Sequence, residues 1–586
     1  MDTIPNDTDP VLTEIVRNAL DAIADEIALI VLRTACSGIV RDSMDYSTAV
    51  CDATGATLAQ GLTTPLHLGS FQDAMQALIR HFDGDVAEGD IFIFNDPYLA
   101  SGQHLPDIYI IRPVFVEGTL EGWATTVAHH NDVGGIVPGS NSIGSTEIYQ
   151  EGLRLPFLKL SAAGVENRAI MDILSANVRV PEKVLGDLNA QIAATAIGVR
   201  EIQALFAKYG KARLRATFAE IHDHAERLAR SVIAEIPDGT YRFESWIDGF
   251  GETPEPIRFC AEVTVAGDEI TVDMEGTSPQ VAAGINAPVP FTKAACYAAI
   301  RSIMGEEIPN AQGFTRPIHV KAPLGSIVNP RSPGACGARG ITGFRTMDTV
   351  FGALAQAVPD RVPADGNGGS SIPAIGGEYQ GKPFVFVETF MGNWGGSSSH
   401  DGQEGVTHMG ANQSNVPVEM IEAEYPIRIE QYALVPNSGG PGKHRGGLSM
   451  IRDYRFLGDF GTMTLRSDKR RFPPFGLAGG QPGAPCLSIV NPDGEARMLP
   501  VLITQPVTLR KGDLFRHVLP GAGGWGKATE RDPGRVLEDV ILGKVDRDHA
   551  RAAYGVVITG EPPRVDAEAT RKARASLRRD PHCPPP

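Results

Sequence analysis

No Cys-x-x-Cys pair occurs in the chain, and its seven cysteines, at 36, 51, 260, 296, 336, 486 and 583, are odd in number and scattered. That pattern excludes a disulfide framework and a structural zinc knuckle, and leaves most of the thiols as small buried hydrophobes. A basic surplus is missing too. The formal charge is -17, the wrong sign for gripping a phosphate backbone, so nucleic acid is excluded as the main partner. No long apolar run is found in the first helical pattern, whose longest purely apolar stretch is Ile27 to Leu32, far short of a bilayer span. The opening Met1-Asp2-Thr3-Ile4-Pro5-Asn6-Asp7 has no basic region followed by an apolar core, so no signal peptide is expected and the cytoplasm is the expected location. The 65 glycines and 43 prolines form no low-complexity tract; they mark tight turns and irregular loops.

What is present reads as a mixed α+β chain. Its 586 residues suit two or three domains. Asp9-Pro10 is a helix start, and Leu12, Ile15, Val16, Leu20, Ile23, Ile27, Ile30 and Val31 recur at helical spacing, predicting a helix to about Cys36. Short strands are expected at 46–52 and 57–59, a helix at 69–82, and a buried strand at 90–94. Residues 108–116 and 122–130 read as two strands of a hairpin whose loop is Glu117-Gly118-Thr119-Leu120-Glu121. Helix follows from about 181 to 235 with a break near Tyr209-Gly210. Alternating strands fill 241–275, helices are expected at 284–305 and 346–357, and 365–526 is rich in glycine and short strands. The chain ends in helices at 534–554 and 565–579, the last one basic on a solvated face. The expected domains are an N-terminal α+β region (1–235) with the site, a β-rich region (236–530), and C-terminal helices with a tail (531–586).

The chemistry concentrates in His104-Leu105-Pro106-Asp107 and His129-His130-Asn131-Asp132. The first group stands where one hairpin strand begins and the second where the other ends, which in an antiparallel pair is the same open end. Two imidazoles and a carboxylate make a catalytic metal set with positions left open. The alternative is a group of ordinary hydrogen-bonded strand-end residues; four such groups converging on one end favour the metal. Adjacent strand residues point to opposite faces, so only one of His129 and His130 can join the ion, leaving the other to support a ligand or meet the substrate. Asp132 is expected to hold a ligand imidazole in its tautomer.

Two glycine-rich segments imitate nucleotide loops. Gly521-Ala522-Gly523-Gly524-Trp525-Gly526-Lys527 is followed by Ala528, not a hydroxyl residue, and Pro533 stands where a phosphate-binding helix would run. Gly439–Gly447 fits no nucleotide fingerprint and reads as a compact turn. With no Gly-x-Ser-x-Gly elbow, Gly368-Gly369-Ser370-Ser371 and Gly395–His400 read as loops.

The stretches 95–108 (NDPYLASGQHLPDI), 128–140 (AHHNDVGGIVPGS) and 147–160 (EIYQEGLRLPFLKL) resemble the signature region of the hydantoinase B/oxoprolinase family. Segments 41–70, 177–194, 275–288, 415–454 and 531–540 fit the same family, so the resemblance runs from about residue 10 to about 558. Cys336-Gly337-Ala338-Arg339-Gly340 and Gly366-Asn367-Gly368-Gly369 depart from the Asn- and Gln-rich segments expected there. The resemblance implies a metal on a His-x-x-Asp pair plus a later His, which maps onto His104, Asp107 and His129. Zinc and manganese both suit that nitrogen and oxygen set. It also implies a larger hydantoinase A-type partner that binds ATP and magnesium, in a dimer of heterodimers, and phosphorylates a small cyclic amide. This chain's ion would then activate water for ring opening, with His130 or Asp132 relaying the proton. An ATP-dependent ketone carboxylase of the acetone or acetophenone type is the alternative within the family. A scaffold protein with a vestigial site is the non-enzymatic one.

Overall fold

Asp9 caps the first helix of the computed structural model by accepting from the Val11 amide at 3.1 Å, and Pro10 opens it. The structure describes residues 9–61, 64–67, 69–305, 308–368 and 371–577. The opening heptapeptide, Gly369, Ser370, Arg578, Arg579 and Cys583 lie outside the described residues. The N-terminal part runs α1 (Pro10–Thr34), α2 (Gly38–Arg41), β1 (Tyr46–Asp52), β2 (Thr57–Gln60), α3 (Ser70–His81), β3 (Ile91–Phe94), β4 (Asp107–Val116), β5 (Thr119–His129), β6 (Leu158–Ala162), β7 (Val165–Glu166), α4 (Arg168–Asn177), α5 (Pro181–Tyr209) and α6 (Lys211–Ile233). Its strands form one sheet in the order β2-β1-β5-β4-β3-β6-β7.

That sheet is covered on both faces, and strand parity decides what each side chain meets. Tyr109 and Ile111 of β4 and Trp123 and Val127 of β5 join Phe71, Met75 and Leu78 of α3. The alternate residues turn away: Ala124 and Ala128 pack with α1 and with Val184 and Ala194 of α5, and Ile108 and Ile110 with Leu188. The β4–β5 connection is tighter than expected. Only Glu117 and Gly118 separate the strands, both at positive φ (49° and 76°), and Thr119 to Glu121 belong to β5. Two consecutive left-handed residues match the right-handed strand twist, so a two-residue turn wins over a longer loop.

β8 (Gly239–Ile247), β9 (Ile257–Ala266), β10 (Glu269–Asp273), α7 (Val289–Ser302), β11 (Ile318–Lys321) and α8 (Gly340–Ala357) follow, with the sheet order β11-β10-β9-β8. The main hydrophobic core is continuous from Leu12 of α1 through Phe259, Ile300 and Val350 to Leu502, so it crosses the position near 235 where a boundary was expected. Gly352 lets α8 lie against β8, because a Cβ there would come within 2.2 Å of the Phe243 ring.

The rest contains β12 (Ile372–Tyr379), β13 (Lys382–Val387), α9 (Val418–Glu424), β14 (Ile427–Val435), β15 (Ser449–Phe456), β16 (Phe460–Arg466), β17 (Leu487–Val490), β18 (Arg497–Met498), β19 (Val507–Arg510) and β20 (Leu514–Val518). The orders β13-β12-β16-β19 and β14-β15-β20-β17-β18 make two sheets that share a core of Ile375, Phe386, Tyr454, Met463 and Phe515. α10 (Pro533–Ile541), α11 (Arg547–Tyr554) and α12 (Ala567–Leu577) close the chain around Val536, Val545 and Tyr554. Among the described residues, no helix is long and apolar enough to cross a membrane.

Candidate metal centre

Asp107 and His129 are register partners at the open end of the β4–β5 hairpin. Both share the parity of Tyr109 and Val127, so both face the α3 side. His104, three residues before Asp107, turns its ring to the same point, with its centroid 5.0 Å from that of His129. One ligand atom from each of His104, Asp107 and His129 lies within 4.8 Å of the others, and all three residues are buried. The hairpin expected from the sequence thus brings together the three residues singled out for a metal.

The hydrogen bonds constrain the His104 tautomer. His104 Nδ1 is 2.7 Å from the Gly337 carbonyl, which can only accept, so Nδ1 carries the proton. In the neutral ring Nε2 is then a bare lone pair, yet it faces Asp107 Oδ1 at 3.0 Å. A neutral ring thus sets two acceptors against each other, which a proton on Nε2 or a cation between them would relieve. His129 Nδ1 is buried with no hydrogen-bond partner. Burial pushes His104 down to about 4, with the Arg339 guanidinium adding to it against Asp107. Burial, with His104 beside it, also holds His129 well below its ordinary value. Burial raises the Asp107 carboxyl, but Arg339 and His104 outweigh it and leave the group well below the usual carboxylate range.

Around the triad stand residues that sequence reasoning did not find. Arg339 binds the other Asp107 oxygen, donates to Gln103 Oε1 at 2.8 Å, and lies 4.2 Å from the centre of the Phe291 ring. His67 approaches Asp107 to 3.9 Å while its Nδ1 contacts Ser47 Oγ at 2.6 Å. The Asp45 carbonyl accepts from the His129 amide, and burial together with Asp107 raises the Asp45 carboxyl to about 7. Arg466 is pushed down to about 9 by burial and by Arg339. Gly337 and Arg339 come from a segment noticed only as a departure from the family pattern. Their proximity to His104 and Asp107 is created by packing across more than 230 positions.

The two other residues singled out sit elsewhere. His130 shares the parity of Ala128 and faces α5, where its Nε2 meets Gln191 Oε1 at 2.9 Å. Burial lowers its pKa. Asp132 does not hold an imidazole, as its position after the histidines suggested. Its carboxylate accepts from the amides of Gly134, Gly139 and Arg179 and from Arg179 Nη1 at 2.8 Å, because the chain turns away after His129 and leaves those donors unsatisfied. Asp132 pins the loop from Val133 to Ser140, and the Gly337 carbonyl does the orienting instead.

The glycine-rich imitation of a phosphate loop is a structural junction. The amides of Gly521, Ala522, Gly523, Gly524, Trp525 and Gly526 donate to the carbonyls of Ala484, Gly447, Asp365, Gln481, His444 and Leu477. A phosphate would find all six already engaged. A short 3-10 turn, Ala528–Glu530, follows where a nucleotide-binding helix would begin.

A family model described as hydantoinase B/oxoprolinase matches residues 9–528. The B component of a provisionally assigned D-/L-hydantoinase from Pseudomonas sp. (strain NS671) is 35% identical, covering 97% of this chain and 98% of its own. The beta chain of the caprolactamase of Pseudomonas jessenii is 32% identical over 97% of this chain and 100% of its own. The 5-oxoprolinase of Saccharomyces cerevisiae is 29% identical, matching 89% of this chain to 42% of its own length. Among solved structures, the ATP-dependent caprolactamase of Pseudomonas jessenii superposes with a TM-score of 0.91 at 30% identity, over 97% of this chain and 100% of that one. A nucleotide-free acetone carboxylase does so with a TM-score of 0.91 at 21% identity, over 98% and 83%; at that identity the likeness speaks for the fold alone.

Proposed function

The chain belongs to the hydantoinase B/oxoprolinase family, and from that premise we propose that it is the metal-binding subunit of an ATP-dependent cyclic amide hydrolase. His104, Asp107 and His129 would hold one divalent ion, zinc or manganese. The observation that carries this reading is the convergence of one ligand atom each from His104, Asp107 and His129 within 4.8 Å of one another in a buried site, with the other ring nitrogen of His104 held by the Gly337 carbonyl. A divalent cation would satisfy an imidazole nitrogen and a carboxylate oxygen 3.0 Å apart, and the buried His129, whose Nδ1 has no hydrogen-bond partner, offers a third ligand. Two imidazoles and one carboxylate leave coordination positions open.

When bound, the ion supplies Lewis acidity toward a carbonyl or phosphoryl oxygen and lowers the pKa of water beside it. The chain's own residues prepare the place. Gly337 fixes the His104 tautomer and Arg339 keeps Asp107 ionised and oriented. Burial of all three ligands keeps bulk water from competing. His130, bonded to Gln191, and Asp132, which pins the Arg179-bound loop, would position the chain around the centre and not move a proton at it. ATP and magnesium would be bound by a larger hydantoinase A-type partner in a dimer of heterodimers, and the substrate activated there would be a small ring amide. The caprolactamase relative supports an amide over a ketone, because its likeness covers nearly the whole chain at 32% identity.

The test is elemental analysis of the chain purified with its partner, together with ATP hydrolysis measured against hydantoins, 5-oxoproline, lactams and small ketones. One divalent ion per chain and ring opening coupled to ATP are expected. A metal-free wild type, or coupling to ketones alone, overturns the reading.

A further inference from the structure

Six arginines are buried among the described residues: Arg339, Arg345, Arg445, Arg452, Arg466 and Arg531. Five have a carboxylate: Asp107 for Arg339, Asp468 for Arg345, Glu404 for Arg445, Glu388 for Arg452, and Asp401 with Asp539 for Arg531. Arg466 is the exception. It is 7% exposed, and no described carboxylate lies within the 4.0 Å that defines the other pairs. Its Nη1 reaches the neutral Asn141 Oδ1 at 3.3 Å, and its Nε has no partner.

The place where this guanidinium sits makes the missing anion more telling. It lies over the amino end of α8: a Cβ on Gly340 would stand 3.0 Å from Arg466 Nη2 and 3.3 Å from Cζ. α8 is 18 residues long and its N-terminus has no side-chain cap. The amides of Gly340 and Thr342 find no acceptor among the described residues, while those of Ile341 and Gly343 are bonded to Ala338 and Arg339. A buried, uncapped helix N-terminus carries a partial positive charge and orphan N–H donors. Here it meets an unpaired cation, and two like charges in a dry interior are costly unless an anion lies between them. Arg339, the residue before Gly340, is bound to Asp107, so the unbalanced charge adjoins the metal centre.

We propose that Arg466 and the first-turn amides of α8 form an oxyanion subsite beside the metal centre that takes a phosphoryl group. This rests on the reading above, in which an amide activated by phosphorylation is consumed here, and it assigns the phosphoryl end of that substrate to named groups. The charges agree in sign: with a divalent ion bound, the ion and the guanidiniums of Arg339 and Arg466 outweigh Asp107 and Asp45, whose carboxyl is raised to about 7, a net positive setting for an oxyanion. Helix N-termini joined by an arginine are a common arrangement for such groups. The same chemistry would hold free phosphate after ring opening, so substrate and product share the subsite.

Inorganic phosphate is the probe. The full chain loaded with manganese is titrated with phosphate while the ³¹P linewidth is followed, and binding to the wild type is compared with Arg466→Met, Arg466→Lys and Asn141→Asp. Phosphate is expected to broaden with the wild type. Binding should weaken at least ~10-fold in Arg466→Met, the loss of one charge-assisted hydrogen bond, and recover in part in Arg466→Lys. Asn141→Asp places a carboxylate against Arg466; it should abolish phosphate binding while raising the thermal midpoint, which keeps the test valid should Arg466→Met fail to fold. Manganese content should be equal in all four. In the complex with the partner, Arg466→Met should raise the ATP consumed per ring opened, and added phosphate should inhibit the wild type in competition with the activated substrate. Phosphate binding indifferent to Arg466 and Asn141, or no broadening with the wild type, overturns the subsite even if cyclic amides are opened. Binding that depends on Arg466 with no cyclic amide turned over upholds the subsite and overturns the functional reading instead.

Discussion

Asp107 is at once the register partner of His129, the acceptor of Arg339 and the oxygen that faces His104. Its replacement should therefore do two separable things. Asp107→Asn should strip the metal, and it should also leave Arg339 buried beside no full charge, which costs about 3–5 kcal/mol in a buried pair. His104→Ala and His129→Ala should strip the metal with a smaller loss of thermal midpoint, because no cation is orphaned. His130→Ala should keep the metal, since its ring bonds Gln191 on the opposite strand face, and turnover should fall less than on loss of a candidate ligand. Elemental analysis beside melting curves checks all four, and metal lost from His130→Ala but kept in His129→Ala would sink the assignment of faces. A second histidine, away from the centre, sets a pH dependence. His517 is buried, bonded through Nδ1 to Ser488 Oγ at 3.0 Å and stacked on Phe515, and burial pushes it down to about 3. The unfolded ring titrates near 6.5, so between those values the unfolded chain takes up the proton first. The stability this neutral histidine contributes is full above about pH 6.5 and is lost as pH falls toward 3. His517→Gln should be less stable than wild type at pH 7.5, and the gap between their thermal midpoints should narrow by pH 4.5; a gap that widens counts against it.

At the scale of elements, the β4–β5 hairpin organises the site, and its two ends can be tested independently. β4 runs ten residues from Asp107 in the candidate site to the Glu117-Gly118 turn. At the turn, Gly118 is at φ 76° with open space around a Cβ, so Gly118→Ala meets no clash and costs only the left-handed backbone penalty, about 1 kcal/mol. Glu117→Asn should do the reverse and raise the midpoint slightly, since Asn tolerates that conformation and the ion pair lost to Lys211 joins a side chain that is 82% exposed. Metal content should stay at the wild-type value in both, and a change in it would mean that the turn governs the site. The hairpin also marks how far the sequence can be read. His104, Asp107 and His129 are legible because strand pairing is local: the antiparallel partner of a strand start is a strand end, and parity separates His129 from His130. Arg339, Gly337, His67 and Arg466 are not, because no periodicity links them to the hairpin and only the packing of α8, β16 and the 3-10 turn Pro65–His67 brings them there. Asp132 misleads for a related reason. A carboxylate beside two histidines serves an imidazole or a loop amide equally well, and only the path of the chain after His129 decides. The turn reads too long because Thr119-Leu120-Glu121 looks like loop until the glutamate is seen buried as an ion-pair partner of Arg215.

For the whole molecule, the division of labour follows from where backbone donors are spent. The carbonyls that take up the amides of Gly521 through Gly526 come from five separate stretches, around Asp365, His444–Gly447, Leu477, Gln481 and Ala484. These glycines are there for close approach: a Cβ on Gly523 would lie 2.0 Å from the Phe475 carbonyl and one on Gly521 would lie 1.8 Å from that of Ser438. A loop that joins so many segments cannot also wrap a triphosphate, which needs its amides free and a helix behind them. The three candidate ligands, by contrast, are buried and come together within this chain. A hydrolase that activates its amide with ATP must then bring nucleotide chemistry from another polypeptide or another segment. The yeast 5-oxoprolinase fits that arithmetic, since this chain matches only 42% of its length. The purified chain alone should therefore show no saturable binding of ATP by calorimetry, with or without magnesium. Co-expressed with a larger ATPase-like protein, it should elute on size exclusion as a stable complex, and ring opening should appear only in that fraction. Gly523→Ala should melt earlier by several degrees, from the forced displacement of the Phe475 carbonyl, and nucleotide affinity of the complex should be unchanged, because the loop contributes none of it. Saturable ATP binding by the single chain, or full turnover without a partner, would show that the nucleotide site lies in this polypeptide after all.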